Sequence, residues 1–261
     1  MLVSGQFSEK ECYMNKASLE TVHQEFDLAY SLVLRASGID FTKPALCIGD
    51  EHRSKFFEFE SMKDLGLYSQ IQMIYDEKTN SILVPNHMLS SPYTHLPNYA
   101  RNNRCFGFRH ECVHALSSQL NPKKDVVVRS KRKKDQETKY VLVAFDEGLA
   151  NHLAIESASL SNDPDILEQA AKVKIAMTDG FAEWTSDKGN MEIMAKVYRQ
   201  KTDDIPGILC AYFSATPYIL EPYKYIIGYR FFQLLRPPLS KLNLSTLIQN
   251  PPTRIRQLIY P

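Results

Sequence analysis

Residues 108–120 read FRHECVHALSSQL, with two histidines four apart and a glutamate directly after the first. On an α-helix, side chains at i and i+4 lie on one face, one turn apart. His110 and His114 on a helix therefore point the same way. Two imidazoles so placed can take two corners of a tetrahedral zinc site. Glu111 stands beside the first of them and can reach a water on the metal without binding the metal itself. A metal-bound water beside a general base is the chemistry of hydrolysis. A catalytic zinc takes three protein ligands and keeps its fourth position open. No further histidine follows at the short HExxHxxGxxH spacing, so the third ligand must come from elsewhere. Glu147, in FDEGLAN, lies 33 residues beyond His114. An antiparallel helix pair would set it opposite the two histidines, for one zinc per chain.

The elements that must position these groups are legible in outline. Val113, Leu116 and Leu120 fall on the other side of the HECVH helix and can pack it. Gly107, one turn upstream, leaves room for a neighbouring backbone. Asn121-Pro122 stops the helix. A second helix is predicted from near Val141, carrying VAFDEGLANHLAIE. A third is announced by Asp163-Pro164, an N-cap followed by proline at the first helical position. Further helices are expected near 190–200, 205–214, 222–236 and 241–249. Upstream, Leu19, Val22, Phe26, Ala29 and Val33 recur at helical spacing until Ser37-Gly38. Strands are expected between about 44 and 86. Ala45 to Ile48 is a short apolar run, Phe57 and Phe59 alternate with charges, and Ile71 to Val84 reads as a hairpin around Asp76–Asn80. Strands first and helices afterwards is an α+β order.

Composition excludes several classes. The chain has 261 residues, 44% hydrophobic and 23% charged, which suits a packed core, and a net charge of +1 gives no pull toward nucleic acid. The basic run Arg129–Lys134 reads as a solvated loop tip, because no aromatic residues interleave it as a stacking platform for bases. Five scattered cysteines without CxxC spacing argue against a disulfide framework and for a reducing compartment. The opening MLVSGQFSEKECYMNK lacks a basic-then-apolar secretory pattern, and no apolar run approaches the roughly 18 residues of a membrane span. The expected location is cytoplasmic, or outside the cell by export without a cleavable signal. Cys112 lies two residues from either histidine, about 160–200° around the helix, and reads as a small core residue. His152, about 140° from Glu147, reads as structural. His87 and His95 fall in the loop ahead of the HECVH helix.

HECVH followed by an EGLA helix resembles the gluzincins, the thermolysin-like zinc peptidases whose third ligand is a downstream glutamate. Three further blocks resemble a poorly characterised gluzincin family of small metallopeptidases. YDEKTNSILVP (75–85) is similar to its YDPETxxIYVP hairpin, and YIIGYRF (225–231) matches its YxxGxxF helix. PPTRIRQLIYP (251–261) resembles its closing PPxSTEQxLHP, with Arg254, Ile255, Arg256 and Tyr260 departing from it. Together the blocks cover about residues 70–261; residues 1–69 carry no resemblance.

The resemblance implies a zincin-like α+β domain over the whole chain. Residues 1–98 would form a helix and mixed-sheet lobe and 99–261 a helical lobe, with the HECVH helix between them. It implies an acceptor four residues after the glutamate ligand, Asn151, orienting the first histidine, with Asp146 as rival. It implies a tyrosine three residues before a glycine as oxyanion donor, Tyr225, with Tyr223 as rival. It also implies an edge strand, Ile82, Leu83 and Val84, to which an extended substrate adds. The expected activity is zinc-dependent hydrolysis of peptide bonds, with Glu111 as general base and a peptide or protein as partner. Two other readings stay open. One is a zincin-fold module that binds a peptide without cutting; the other is a helical protein in which HECVH is coincidence. Substrate preference and oligomeric state carry no signal in the sequence.

Overall fold

The structure, a computed structural model, describes residues 17–49, 73–89, 99–124, 136–186, 192, 196, 221–235 and 240–259. The strands expected around Phe57 and Phe59, the basic run, His95, Tyr260 and nearly all of the helices expected at 190–200 and 205–214 lie outside these residues, as do the side chains of His87 and Tyr223. The described chain is mostly helical with one small mixed sheet, a loose α+β arrangement.

Helix α1 runs Leu19–Ser37. Ser18 caps its start by accepting the Thr21 N–H, and Gly38 ends it in the left-handed region at φ 62°. The expected apolar stripe is buried over Val22, Phe26, Ala29 and Val33, but Leu19, expected to begin it, lies exposed in the first turn. Strands β1 (Ala45–Ile48), β2 (Ile74–Asp76) and β3 (Ser81–Val84) follow. β2 and β3 form the expected hairpin, pairing Tyr75 with Ile82. Its turn is closed by Asp76, which accepts from the Thr79 hydroxyl at 2.7 Å, and Asn80 takes φ 46° there. β1 pairs with β3 in parallel, so the order is β1-β3-β2.

Among the described residues the further α-helices are α2 (Tyr99–Leu120), α3 (Gln136–Ala158), α4 (Pro164–Ser186), α5 (Glu221–Leu234), α6 (Lys241–Gln249) and α7 (Ile255–Ile259). α2 ends just before Asn121-Pro122 and α4 starts at Pro164, as the sequence predicts. α3 starts five residues before the expected Val141, because the mostly polar QETKY segment, half-buried at Glu137, Thr138 and Tyr140, adds a turn to the helix.

One apolar cluster runs from Val22 of α1 through Ile82 and Val84 of the sheet and Phe108, Leu116, Phe145 and Phe232 of the helices to Leu258 of α7. Polar ties fix α2 within it. Arg104 grips Glu25 of α1 in a buried two-pronged pair at 2.7 and 2.9 Å and donates to the Met88 carbonyl. Gln119 exchanges two hydrogen bonds with the backbone of Thr42, just ahead of β1. At the C-terminus Gln257 accepts from the backbone N–H groups of Thr253 and Arg254, capping α7. Arg254, one of the departures from the resembled motif, pairs with Glu137 at the start of α3 at 2.7 Å.

α3 and α5 cross in backbone contact. A β-carbon added to Gly228 would stand 1.8 Å from the Ala144 carbonyl oxygen, and one added to Gly148 would stand 2.0 Å from the Gly228 carbonyl carbon. Only glycine at both positions permits this approach. Gly107 is different. What comes close to it is the Met73 thioether, at 3.3 Å from an added β-carbon, and not the backbone expected from the sequence.

Candidate metal centre

Helix α2 presents His110 and His114 on one face, and α3 lies against that face. Their imidazole Nε2 atoms stand 3.0 Å apart. Glu147 of α3 places Oε2 at 3.2 Å from His110 Nε2 and 3.5 Å from His114 Nε2. Sequence spacing thus leads to three donor atoms converging on one point from two helices. All three side chains are largely screened from water, at 12–16% exposure.

Each histidine is held from behind by a different acceptor. Asn151 Oδ1 lies 3.1 Å from His110 Nδ1, and Asp146 Oδ2 lies 2.8 Å from His114 Nδ1. The two residues that the sequence sets as rivals therefore serve one imidazole each. With Nδ1 donating to an oxygen in both rings, each Nε2 keeps its lone pair for the shared centre. Asp146 is itself anchored. Its Oδ1 accepts from the Ser117 hydroxyl and from Lys124 Nζ, both at 2.6 Å, and Lys124 is buried. Burial raises the Asp146 carboxyl, but Lys124 and His114 outweigh it and hold the group well below the usual carboxylate range.

The same contest sets the other groups. Burial opposes a charge on His114, yet the Asp146 and Glu147 carboxylates win and raise its pKa well above an ordinary histidine. Burial likewise opposes charge on Glu147, and the two histidines overcome it and hold the group ionised. Glu111 is the exception. Its burial dominates and raises its pKa, against the pull of both histidines and of a hydrogen bond from the Tyr75 N–H at 2.8 Å. A carboxylate of raised proton affinity beside the donor cluster is suited to accept a proton.

A tetrahedral ion with bonds of about 2.0–2.2 Å separates its ligand atoms by about 3.3–3.6 Å. The observed separations of 3.0, 3.2 and 3.5 Å fit that spacing to within a few tenths of an ångström. The donor types, one carboxylate and two imidazoles, of which His114 must give up to the metal the proton its two carboxylates favour, suit zinc among the common divalent ions. Glu111 also brings a carboxylate oxygen within 4.8 Å of both histidine donor atoms. Its Oε2 accepts from the Tyr75 N–H, whereas Glu147 turns its Oε2 toward both imidazole Nε2 atoms. No family model, curated protein or solved structure matches the chain. The chemistry of the site therefore rests on its own geometry.

A cavity of about 350 Å³ opens over the cluster, lined on the sheet side by Met73, Ile74, Tyr75 and Glu77 and on the helix side by Lys224 and Tyr225 of α5. The Tyr225 ring lies 6.3 Å from that of His110. Lys224 was not legible as a site residue, and its Nζ stands 3.6 Å from Glu147 Oε1. Its only signal is position: it precedes Gly228 by four and so shares that glycine's helix face. Lys124 and Ser117, behind Asp146, carry no sequence signal at all.

The substrate-edge expectation is corrected by the topology. Ile82, Leu83 and Val84 lie in the middle strand, paired on both sides, and are buried. A strand with β1 and β2 already on its two edges has no ladder to offer a substrate. The strand beside the cavity is β2, whose Tyr75 N–H is given to Glu111. His152, expected to be structural, is buried and stacks on Phe232 at 5.4 Å. Cys112 is fully buried in the core, away from the cluster.

Proposed function

We propose that this chain is a zinc-dependent peptidase of gluzincin type, with a zincin-like arrangement of the α2–α3 pair beside the small sheet. One observation carries the reading: two imidazole lone pairs and a carboxylate oxygen converge within 3.5 Å, each imidazole oriented by its own acceptor, next to a buried glutamate that is not needed as a ligand. His110, His114 and Glu147 would hold the ion. When bound, zinc supplies a Lewis acid and lowers the pKa of a coordinated water.

The protein's own groups do the rest. Glu111 accepts the proton of the attacking water and delivers it to the leaving amine. The Tyr75 N–H keeps the Glu111 carboxylate turned toward the cavity. Tyr225, on the opposite wall, donates its hydroxyl proton as a hydrogen bond to the oxyanion that develops on the scissile carbonyl. Asn151 and Asp146 keep both imidazoles in the tautomer that presents Nε2. A peptide would lie in the cavity between β2 and α5.

Elemental analysis of protein purified without a metal-binding tag tests the site first. The expected result is about one zinc per chain in wild type and a clear loss in Glu147→Ala. Glu111→Gln is expected to keep zinc and lose peptide hydrolysis, whereas His110→Ala and His114→Ala lose both. Wild type without zinc after incubation with the metal would refute the reading. Full turnover in Glu111→Gln would refute the general base.

A further inference from the structure

We propose that Lys224 is a positioning residue for the metal centre. It holds Glu147 to ligation through one oxygen and so keeps a coordination position open. This rests on His110, His114 and Glu147 being the ligands. The two oxygens of Glu147 have separate partners. Oε2 faces both histidines at 3.2 and 3.5 Å, while Oε1 faces the Lys224 ammonium at 3.6 Å. A carboxylate held by a cation on one oxygen is turned away from two-oxygen binding. That leaves room at the ion for a water or a carbonyl.

The placement of Lys224 is built into the fold. It sits one turn before Gly228 on the same face of α5, and Gly228 is pressed onto Gly148, the residue after Glu147. The crossing of two helices at their glycines thereby fixes an ammonium beside a ligand. The Tyr225 ring supports the same ammonium at 5.0 Å from its centroid. Lys224 is only 14% exposed, so bulk water screens its field poorly. A lysine at an ordinary helix surface needs neither a glycine crossing nor an aromatic platform.

Cobalt substitution reads this role without any substrate. Four-coordinate cobalt absorbs visible light several-fold more strongly than five-coordinate cobalt, and the band reports ligand number directly. Wild type is expected to bind about one cobalt per chain with a strong band. In Lys224→Met the freed Glu147 oxygen adds to the ion, and the band is expected to fall roughly twofold or more and to shift. Lys224→Gln should behave like Lys224→Met, which guards against a folding defect peculiar to one variant. Lys224→Arg, which restores a cation, should recover the wild-type band. Circular dichroism of each variant checks the fold. If wild type takes up no cobalt, the ligand set fails and this inference with it. If cobalt binds and both neutral variants keep the wild-type band, the ligand set stands and the role of Lys224 is overturned.

Discussion

Replacing Gly228 by alanine perturbs the crossing that joins Glu147 to the opposite wall of the cavity. The new β-carbon would meet the Ala144 carbonyl oxygen at 1.8 Å and the Gly148 α-carbon at 2.8 Å. Side-chain carbons essentially never approach such atoms within 3.0 Å, so α5 must retreat by at least about 1.2 Å. Both obstacles are backbone, and no rotamer can relieve them. Overpacking of this kind costs about 1–3 kcal/mol, and backbone contact puts this site at the upper end. Alanine returns about 1 kcal/mol through its better helix propensity. The net loss is about 2 kcal/mol, or about 4–8 °C in Tm for a chain of this size.

The retreat also carries Lys224 and Tyr225 away from Glu147. A displacement of about 1 Å in a positioned group can cost about 100-fold in rate. Thermal unfolding and hydrolysis of a generic peptide library are the assays. Gly107→Ala is the internal control. Its β-carbon meets only the flexible Met73 thioether at 3.3 Å, so its Tm should stay within about 2 °C of wild type. If Gly228→Ala unfolds at the wild-type temperature, the backbone contact between α3 and α5 is wrong, and so is the argument for what positions Lys224.

Arg104→Met should destabilise by about 3–5 kcal/mol in urea unfolding, because it strands the buried Glu25 carboxylate; adding Glu25→Leu should recover most of the loss. Lys124→Met leaves Asp146 without its buried cation, and zinc affinity measured against a chromogenic chelator should fall about 10–100-fold. His152 gives a pH dependence. Burial, helped by Lys174, lowers its pKa to about 4, below the ordinary 6.5 of the unfolded chain. Its stabilising contribution is therefore complete above pH 6.5 and is lost as pH falls from 6.5 toward 4. The loss reaches about 3 kcal/mol, and His152→Phe should flatten that part of a Tm–pH profile.

The sequence carried the two-histidine face well because a spacing of four has one geometric meaning on a helix. The α2 stop and the α4 start were equally legible, since proline acts locally. The hairpin turn followed from Asp76 to Asn80. The place of β3 in the sheet did not follow from alternation, because β1 pairs with it from 36 residues upstream (Ala45 with Ser81). A signal did exist: ILV is an unbroken apolar run, as expected of a strand buried on both faces. The lysines were invisible for another reason. Lys124 and Lys224 look like any solvated lysine until the fold brings Asp146 and Glu147 to them. Asn151 and Asp146 could be read as candidates but not shared out, because which imidazole meets which acceptor depends on the angle between α2 and α3.

The polar cluster also argues against a merely structural helix pair. Elsewhere α2 and α3 contribute Val113, Leu116, Phe145 and Leu149 to a fully buried apolar core. That is the stable way to join two helices, and buried ionic groups in its place usually lower stability. Around the cavity, Glu77, Glu111, Asp146 and Glu147 outnumber the cationic Lys124, Lys224 and His114. Such a site attracts a cation, and the converging lone pairs say where it would sit. Ligation alone needs His110, His114 and Glu147, each already held in place. Glu111 adds a buried carboxylate that the fold must stabilise with the Tyr75 N–H and that a His110–His114–Glu147 ligand set does not use. A module that only held zinc, or only captured a peptide, would be more stable with an apolar residue there. On the proposed reading, proton transfer is what Glu111 would be there to do, and Glu111→Gln is the variant that separates an enzyme from a binding module.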